Sequence, residues 1–224
     1  MMSYQQEIIE IYNKNASSYD QFIKLYNGFW QFFGFRYEHW RKKAISALNL
    51  KEGQTIVDLG CGTGLNFPYF EKLVGSSGRI IGVDIADNML GMAKKRITKN
   101  NWKNISLFSD DMVNYEIPKG VDAVISTYSL GLSKSYDKVI LEAYRALKPD
   151  GKFVVLDFKD DHLSIRAKTF LPFWLRCIKD YSATTVDFGT TPSWKSVKNH
   201  FPESHLQEFF GGLSYLSVGI KKKL

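Results

Sequence analysis

The sequence predicts a doubly wound α/β fold with a mostly parallel sheet, and three observations carry that prediction. A short apolar run, Ile56, Val57 and Leu59, leads into three alternating glycines at positions 60, 62 and 64. Downstream, strand-like and helix-like segments alternate in the manner of a sheet covered on both faces. A glycine pair, Gly211-Gly212, then joins two strand-like segments in the tail and reads as a hairpin.

The 224 residues are enough for one domain with a substantial core. They divide into a helical cap (1–50), a ligand-binding core (51–158) and a substrate-side helix with the terminal hairpin (159–224). The composition, 44% hydrophobic and 24% charged, is that of a globular protein. Two cysteines, Cys61 and Cys177, supply neither a disulfide framework nor a metal-ligand cluster, so no metal is expected. The polar start Met1–Glu7 lacks a signal-peptide pattern, and no run reaches the ~20 apolar residues of a membrane span. A cytoplasmic location is expected. The net charge of +7 favours acidic partners, either an anionic membrane surface or nucleic acid.

Taken in order, residues 4–14 form a first helix, with Ile8, Ile9 and Tyr12 at helical spacing, and Asn15-Ala16-Ser17-Ser18 is expected to break it. Tyr19-Asp20 opens an aromatic segment that runs to Trp40, with a basic face from Arg36, His39, Arg41, Lys42 and Lys43. Expected strands are 55–60, 79–84, 104–109, 122–127 and 152–158, with helices over 66–74, 87–99 and 135–147. Asp87 or Asn88 is placed to cap the second of these helices, and Lys148-Pro149-Asp150-Gly151 is a turn that stops the third. From Leu163 to Tyr181, Trp and Phe interleave with Arg and Lys, as in a helix lying in a headgroup layer, and Pro172 is expected to split or kink it. The hairpin strands are 205–210 and 213–220.

The turn at Gly60–Gly64, between a strand end and a helix start, has the Rossmann-like layout for a nucleotide-type ligand. A nicotinamide fingerprint needs glycine at 65, where this chain has Leu65. Asp58, just before the glycines, would repel a pyrophosphate but attract a ligand carrying an ammonium and a sulfonium. S-adenosylmethionine is such a ligand. Asp84, about 20 residues past the turn, is placed to accept the ribose hydroxyls. Asp111, with Asp110 beside it, could take the adenine amino group, and the Met112 amide could reach the ring. Cys61 within the turn, Ile85 after Asp84 and Ser126 at the fourth strand end complete the expected cofactor-binding set.

The ordered motifs Val57–Gly64, Val83-Asp84, Asp111-Met112, Asp122–Ile125 and Leu147–Phe153 resemble those of class I S-adenosylmethionine-dependent methyltransferases over about residues 51–158. The resemblance implies a seven-stranded sheet with a terminal antiparallel hairpin, and S-adenosylhomocysteine as product. Phe209-Phe210-Gly211-Gly212-Leu213-Ser214-Tyr215 resembles bacterial phosphatidylethanolamine N-methyltransferases and their aminocarboxypropyl-transferring relatives. Gly34–Arg41 is similar to ubiquinone/menaquinone C-methyltransferases. Tyr19-Asp20 is similar to the tyrosine that closes over the cofactor in many members.

Such chemistry asks mainly for alignment of a nucleophile with the methyl group. Tyr19, His39 and Tyr128 are the candidate acceptor-pocket residues, any of which could take a proton from an amine. The favoured acceptor is a lipid-like or small amphiphilic amine of phosphatidylethanolamine type; the alternative is a quinone-precursor C-methyltransferase or another small-molecule enzyme. An RNA methyltransferase is disfavoured, because Ser126-Thr127-Tyr128-Ser129 stands where an Asn/Asp-Pro-Pro-Tyr motif would serve base amines. A cofactor-binding regulator without turnover is the remaining reading, and no obligate protein partner is inferred.

Overall fold

A computed structural model describes residues 3–183 and 191–223. Met1 and Met2 of the polar start lie outside the described residues. Among those described, seven strands form one sheet: β1 (Thr55–Leu59), β2 (Arg79–Asp84), β3 (Ile105–Ser109), β4 (Val121–Thr127), β5 (Leu147–Phe158), β6 (Glu203–Phe209) and β7 (Ser214–Ile220), in spatial order β3-β2-β1-β4-β5-β7-β6. The first five are parallel and β7 runs antiparallel to both β5 and β6. The expected architecture, with its terminal hairpin, is present.

Strand period places alternate residues on opposite faces. Ile56, Ile80, Ile125, Val154 and Leu156 pack on one side with α3 (Phe67–Val74) and α6 (Ile165–Ile178). Val57, Leu59, Ile81, Val83 and Val155 pack on the other with α5 (Tyr136–Ala146) and α7 (Ser193–His200). The sequence reading had no counterpart for α7. The chain switches direction across the sheet between β1 and β4, which places the cleft of a doubly wound fold above the carboxyl ends of these strands.

Several local expectations are corrected. The predicted break at Asn15–Ser18 is absent, and α1 runs unbroken from Tyr4 to Trp30. Asn15 is buried, and its side-chain amide donates to the Ile11 carbonyl at 2.9 Å and the Asp180 carbonyl at 2.5 Å, so a residue that competes with helices when solvated is satisfied inside this one. The aromatic segment does not continue to Trp40. A single 3-10 turn, Gln31–Phe33, ends at Gly34 with φ +82°, and α2 (Tyr37–Ala47) starts anew.

Lys148-Pro149-Asp150-Gly151 does not sit outside the sheet. β5 begins at Leu147, and the irregular register opposite Val121 and Ala123 absorbs the turn, with Asp150 at φ +63°. Neither Asp87 nor Asn88 caps α4 (Asp87–Lys99). The Asp84 carboxylate accepts from the Ala86 amide at 2.9 Å instead. Pro172 leaves α6 in one piece; Pro172 and Lys168 are both exposed, so the missing bond falls on the solvent side. No described helix is long and apolar enough to cross a membrane.

Candidate active site

A cavity of about 430 Å³ opens above the carboxyl ends of β1, β2 and β4. Its floor is the glycine turn. The Gly60 and Cys61 amides both donate to the Val83 carbonyl, at 2.8 and 3.0 Å, which fastens the turn to β2. Gly60 and Gly62 have positive φ, and a Cβ at Gly62 would meet no atom within 4 Å. An open, Cβ-free backbone at a cavity floor fits a flat ligand lying against it. Gly64 serves differently: it lies outside the lining, and a Cβ there would strike the Phe67 ring.

Asp84 lines the cavity and accepts from the Gly62 amide at 2.7 Å through Oδ2. Burial pushes its carboxyl up, opposed by the Ala86, Gly62 and Ile85 amides. Each carboxylate oxygen has a further lone pair, so Asp84 can bond a diol while closing the turn. Ile85, Asp110, Asp111 and Met112 also line the cavity. Asp111 accepts from the Val113 amide at 3.0 Å and from Gln5 Nε2 at 2.5 Å. The residues present therefore fit an adenosyl group: the open Gly62 backbone below, a diol acceptor on one side and an acidic edge beyond it.

Two of the expected cofactor residues lie behind the cavity. Ser126 is fully buried and bonds Ser129 Oγ at 2.8 Å, and Ser129 Oγ in turn donates to the Leu59 carbonyl at 3.0 Å. Asp58 is also fully buried, with both oxygens accepting from Asn66 Nδ2 at 3.2 and 3.0 Å. Burial raises its carboxyl to about 7, against the Asn66 hydrogen bond and the Arg41 charge. Asp58 thus carries much less charge near neutrality than the electrostatic argument from sequence assumed, and it does not face the ligand.

The Asp58 shift has a definite sign. Its folded value lies above the ordinary 3.8, so the stability it contributes is complete below about pH 4 and is lost as pH rises through about 7. Asp157, raised by burial to about 6, acts in the same direction. Replacing Asp58→Asn is expected to remove about 2 to 3 kcal/mol of stability loss between pH 5 and pH 7, measured by urea denaturation of both proteins. Parallel pH curves for the two would refute the assignment.

The other end of the cavity is aromatic. Tyr128 follows β4 at φ +58°, a left-handed conformation that is strained for a tyrosine. Its ring stacks on Tyr37, with centroids 4.0 Å apart, and it packs on Phe158. The buried Tyr128 hydroxyl lacks a well-formed hydrogen bond, with the Ser214 side chain the polar group within its reach. Tyr12 and Tyr19 of α1 close the chamber, 6.2 Å apart edge to face. Asp20 pins α1 in place by bonding Thr63 Oγ1 at 2.6 Å and pairing with Arg96.

Burial raises the Tyr19, Tyr37 and Tyr128 hydroxyls above the ordinary tyrosine value. Held neutral in this way they can donate hydrogen bonds to a ligand, and Tyr19 and Tyr128 both line the cavity. His39 is not brought to the cavity. It is exposed on α2 and lines a shallow groove with Lys42, Lys43 and Gln207. No residue of the run Phe209–Tyr215 lines the cavity: Phe209 stacks on Trp40, Tyr215 is fully buried, and Ser214 reaches the cavity only through Tyr128.

Arg41 is the residue that the sequence reading missed. Its side chain is 5% exposed, yet it lines the chamber. Nη1 donates to Asn66 Oδ1 at 2.7 Å and Thr127 Oγ1 at 3.1 Å, and Nη2 donates to the Tyr37 hydroxyl at 3.2 Å. Glu38 lies 3.8 Å from Nε. A signal was available, because the buried residues Tyr37, Trp40, Arg41, Ala44 and Ile45 form an i, i+3, i+4, i+7, i+8 stripe. A cation on an apolar stripe asks for a partner.

The model of the ubiE/COQ5 methyltransferase family matches residues 1–180. The chain belongs to that family. It is a methyltransferase that uses S-adenosylmethionine. A demethylmenaquinone methyltransferase of Lactococcus lactis is 28% identical over 97% of this chain and 85% of its own length. A ubiquinone/menaquinone biosynthesis C-methyltransferase of Cellvibrio japonicus is 26% identical, covering 96% of this chain and 92% of that one. Among solved structures, the Haemonchus contortus phosphoethanolamine N-methyltransferase 2 with S-adenosylmethionine superposes with a TM-score of 0.63 at 17% identity. It covers 81% of this chain and 53% of that one, a likeness of fold alone. The relatives' names favour the quinone alternative over the phosphatidylethanolamine reading that the tail motif suggested.

Proposed function

We propose that this member of the ubiE/COQ5 methyltransferase family methylates a ring carbon of a reduced, prenylated quinone precursor of the demethylmenaquinone class. The observation that carries the proposal is the buried Arg41 guanidinium at the aromatic end of a cavity whose other end is the glycine turn. A hydroquinone is a flat ring with weakly acidic hydroxyls. It suits a chamber walled by Tyr12, Tyr19, Tyr37 and Tyr128.

S-adenosylmethionine, when bound, would supply a methyl group whose bond to sulfur breaks as the bond to the ring carbon forms; the ring hydroxyl gives its proton to water beforehand, and the proton on the methylated carbon returns to the oxygen as the ring regains aromaticity. The chain then has three tasks. Arg41 stabilises the phenolate oxygen and thereby makes the ring carbon electron-rich. The neutral tyrosine hydroxyls donate hydrogen bonds that orient the ring. The first half of α1 covers the site and excludes water. An amine acceptor placed here would face a cation.

Under this proposal Gly60, Cys61 and Gly62 hold the methionine and ribose portions, Asp84 and Ile85 the ribose, and Asp111 and Met112 the adenine. An amphiphilic acceptor also implies work at the cytosolic membrane face. The test is incubation with labelled S-adenosylmethionine and either a dithionite-reduced short-chain demethylmenaquinone or phosphatidylethanolamine. Label in the quinol is expected. Label only in the phospholipid would overturn the proposal.

A further inference from the structure

We infer that the carboxyl end of α1, the 3-10 turn after it and the outer face of α6 form a docking surface for an anionic lipid bilayer. The inference rests on the quinol reading only for its purpose, which is access to a membrane-dissolved acceptor; the surface is argued independently.

Apolar side chains are concentrated there in the open. Leu25, Phe29 and Phe32 stand at i, i+4 and i+7, exposed by 67%, 54% and 84%, and Ile165 and Phe173 on α6 are exposed by 83% and 57%. Phe29, the half-exposed Phe33 and Phe173 share one centre, Phe32 precedes Phe33 in the same 3-10 turn, and Ile165 precedes Arg166 on α6. Trp30 is that buried centre, with the rings of Phe29, Phe33 and Phe173 at 4.9, 5.8 and 5.5 Å. Arg166 ties the two elements together by donating to the Phe33 carbonyl. A contiguous exposed patch of large apolar side chains marks an interaction site.

Charge selects the occupant. Residues 21–36 carry Lys24 and Arg36, and α6 carries Arg166, Lys168 and Arg176, with no carboxylate in either segment. Aromatic side chains ringed by cations match the boundary between acyl chains and anionic headgroups. A protein partner of ordinary composition would not require this one-sided charge.

The patch also connects to the chamber. A file of rings runs from Tyr128 through Tyr37 (4.0 Å) and Tyr26 (6.1 Å) to Trp30 (6.2 Å), alongside a void of about 30 Å³ bordered by Trp174 and Tyr181. The docked face is therefore continuous with the acceptor end of the cavity, whereas the adenine edge at Asp111 lies at the other end.

The test is co-sedimentation of the full chain with vesicles of phosphatidylcholine alone or with added phosphatidylglycerol. Wild type is expected to bind the anionic vesicles, and the double variant Phe32→Ser, Ile165→Ser to bind them about tenfold more weakly or worse. Both side chains are exposed, so melting temperature and S-adenosylhomocysteine affinity should be unchanged. Equal sedimentation of variant and wild type, or no sedimentation of wild type, overturns the inference. So does a wild-type dimer that the variant converts to monomer without any vesicle binding, which would make a second copy the occupant. A parallel assay on a tail-less quinol separates the two readings: its failure in both proteins tells against the acceptor and leaves the vesicle result intact.

Discussion

Replacing Arg41→Met is expected to lower kcat for quinol methylation by about 10²- to 10³-fold near pH 7, with S-adenosylhomocysteine affinity changed less than about threefold. On the proposed mechanism the guanidinium acts on the acceptor oxygen, not on the adenosyl group, so chemistry and cofactor binding should separate. Its proposed contribution is to hold a phenolate that solution at neutral pH would leave protonated. Without it, the ring hydroxyl must ionise unaided, and the pH–rate profile should move to higher pH, narrowing the defect under alkaline conditions. Arg41→Lys keeps a charge but loses the fork that reaches Asn66, Thr127 and Tyr37, so an intermediate rate is expected. Methionine also strands Asn66 Oδ1, and a loss of stability is anticipated. Steady-state kinetics across pH, with calorimetric titration of S-adenosylhomocysteine, decides the matter. A uniform loss of rate at every pH, or a parallel loss of cofactor affinity, would show Arg41 to be structural.

The second large effect is expected at the cavity floor. Gly62→Arg places a long side chain on a backbone at φ +54°, in the open space where the ligand should lie. Cofactor binding should fall below detection, a loss of at least about 100-fold, while circular dichroism stays close to wild type. Asp84→Asn tests the neighbouring contact more gently. The amide can still accept from Gly62 or Ala86, but it loses the charge that strengthens bonds to a ribose diol, and about a tenfold weakening is expected. Calorimetric titration reads both. Wild-type affinity in the two variants would remove the adenosyl group from this turn.

Much of the scaffold was legible because it follows from short-range pattern. The apolar strands, the alternating glycines and the Gly211-Gly212 hairpin are local signals, and apart from the early start of β5 at Leu147 they lie within a residue or two of where the pattern put them. The errors came where a distant group settled a local choice. Asn15 reads as a helix breaker until the Asp180 carbonyl, 165 residues away, takes its amide. Asp58 reads as a charge aimed at the ligand until burial with Asn66 shows its carboxyl half-neutral near pH 7. Ser126 reads as a contact at a strand end, but the side-chain period turns it inward to brace Ser129. His39 and Arg41 are the sharpest case. Two residues apart on α2, they project in different directions, and the apolar stripe, not the residue type, distinguished the buried one from the exposed one.

The unbroken course of α1 has a mechanical consequence. Its 27 residues make a rod roughly 40 Å long, with Tyr4 and Tyr12 roofing the reaction chamber at one end and Phe29 in the open at the other. Midway, Ala16 packs on Ala86 and Met89, a small buried cluster on which the helix rests. A rod without a joint transmits a displacement of one end to the other, subject to the Asp20 contacts with Thr63 and Arg96 that hold its middle. Anchoring the far end would bias that displacement, and so the roof's position would depend on what the opposite tip is resting against.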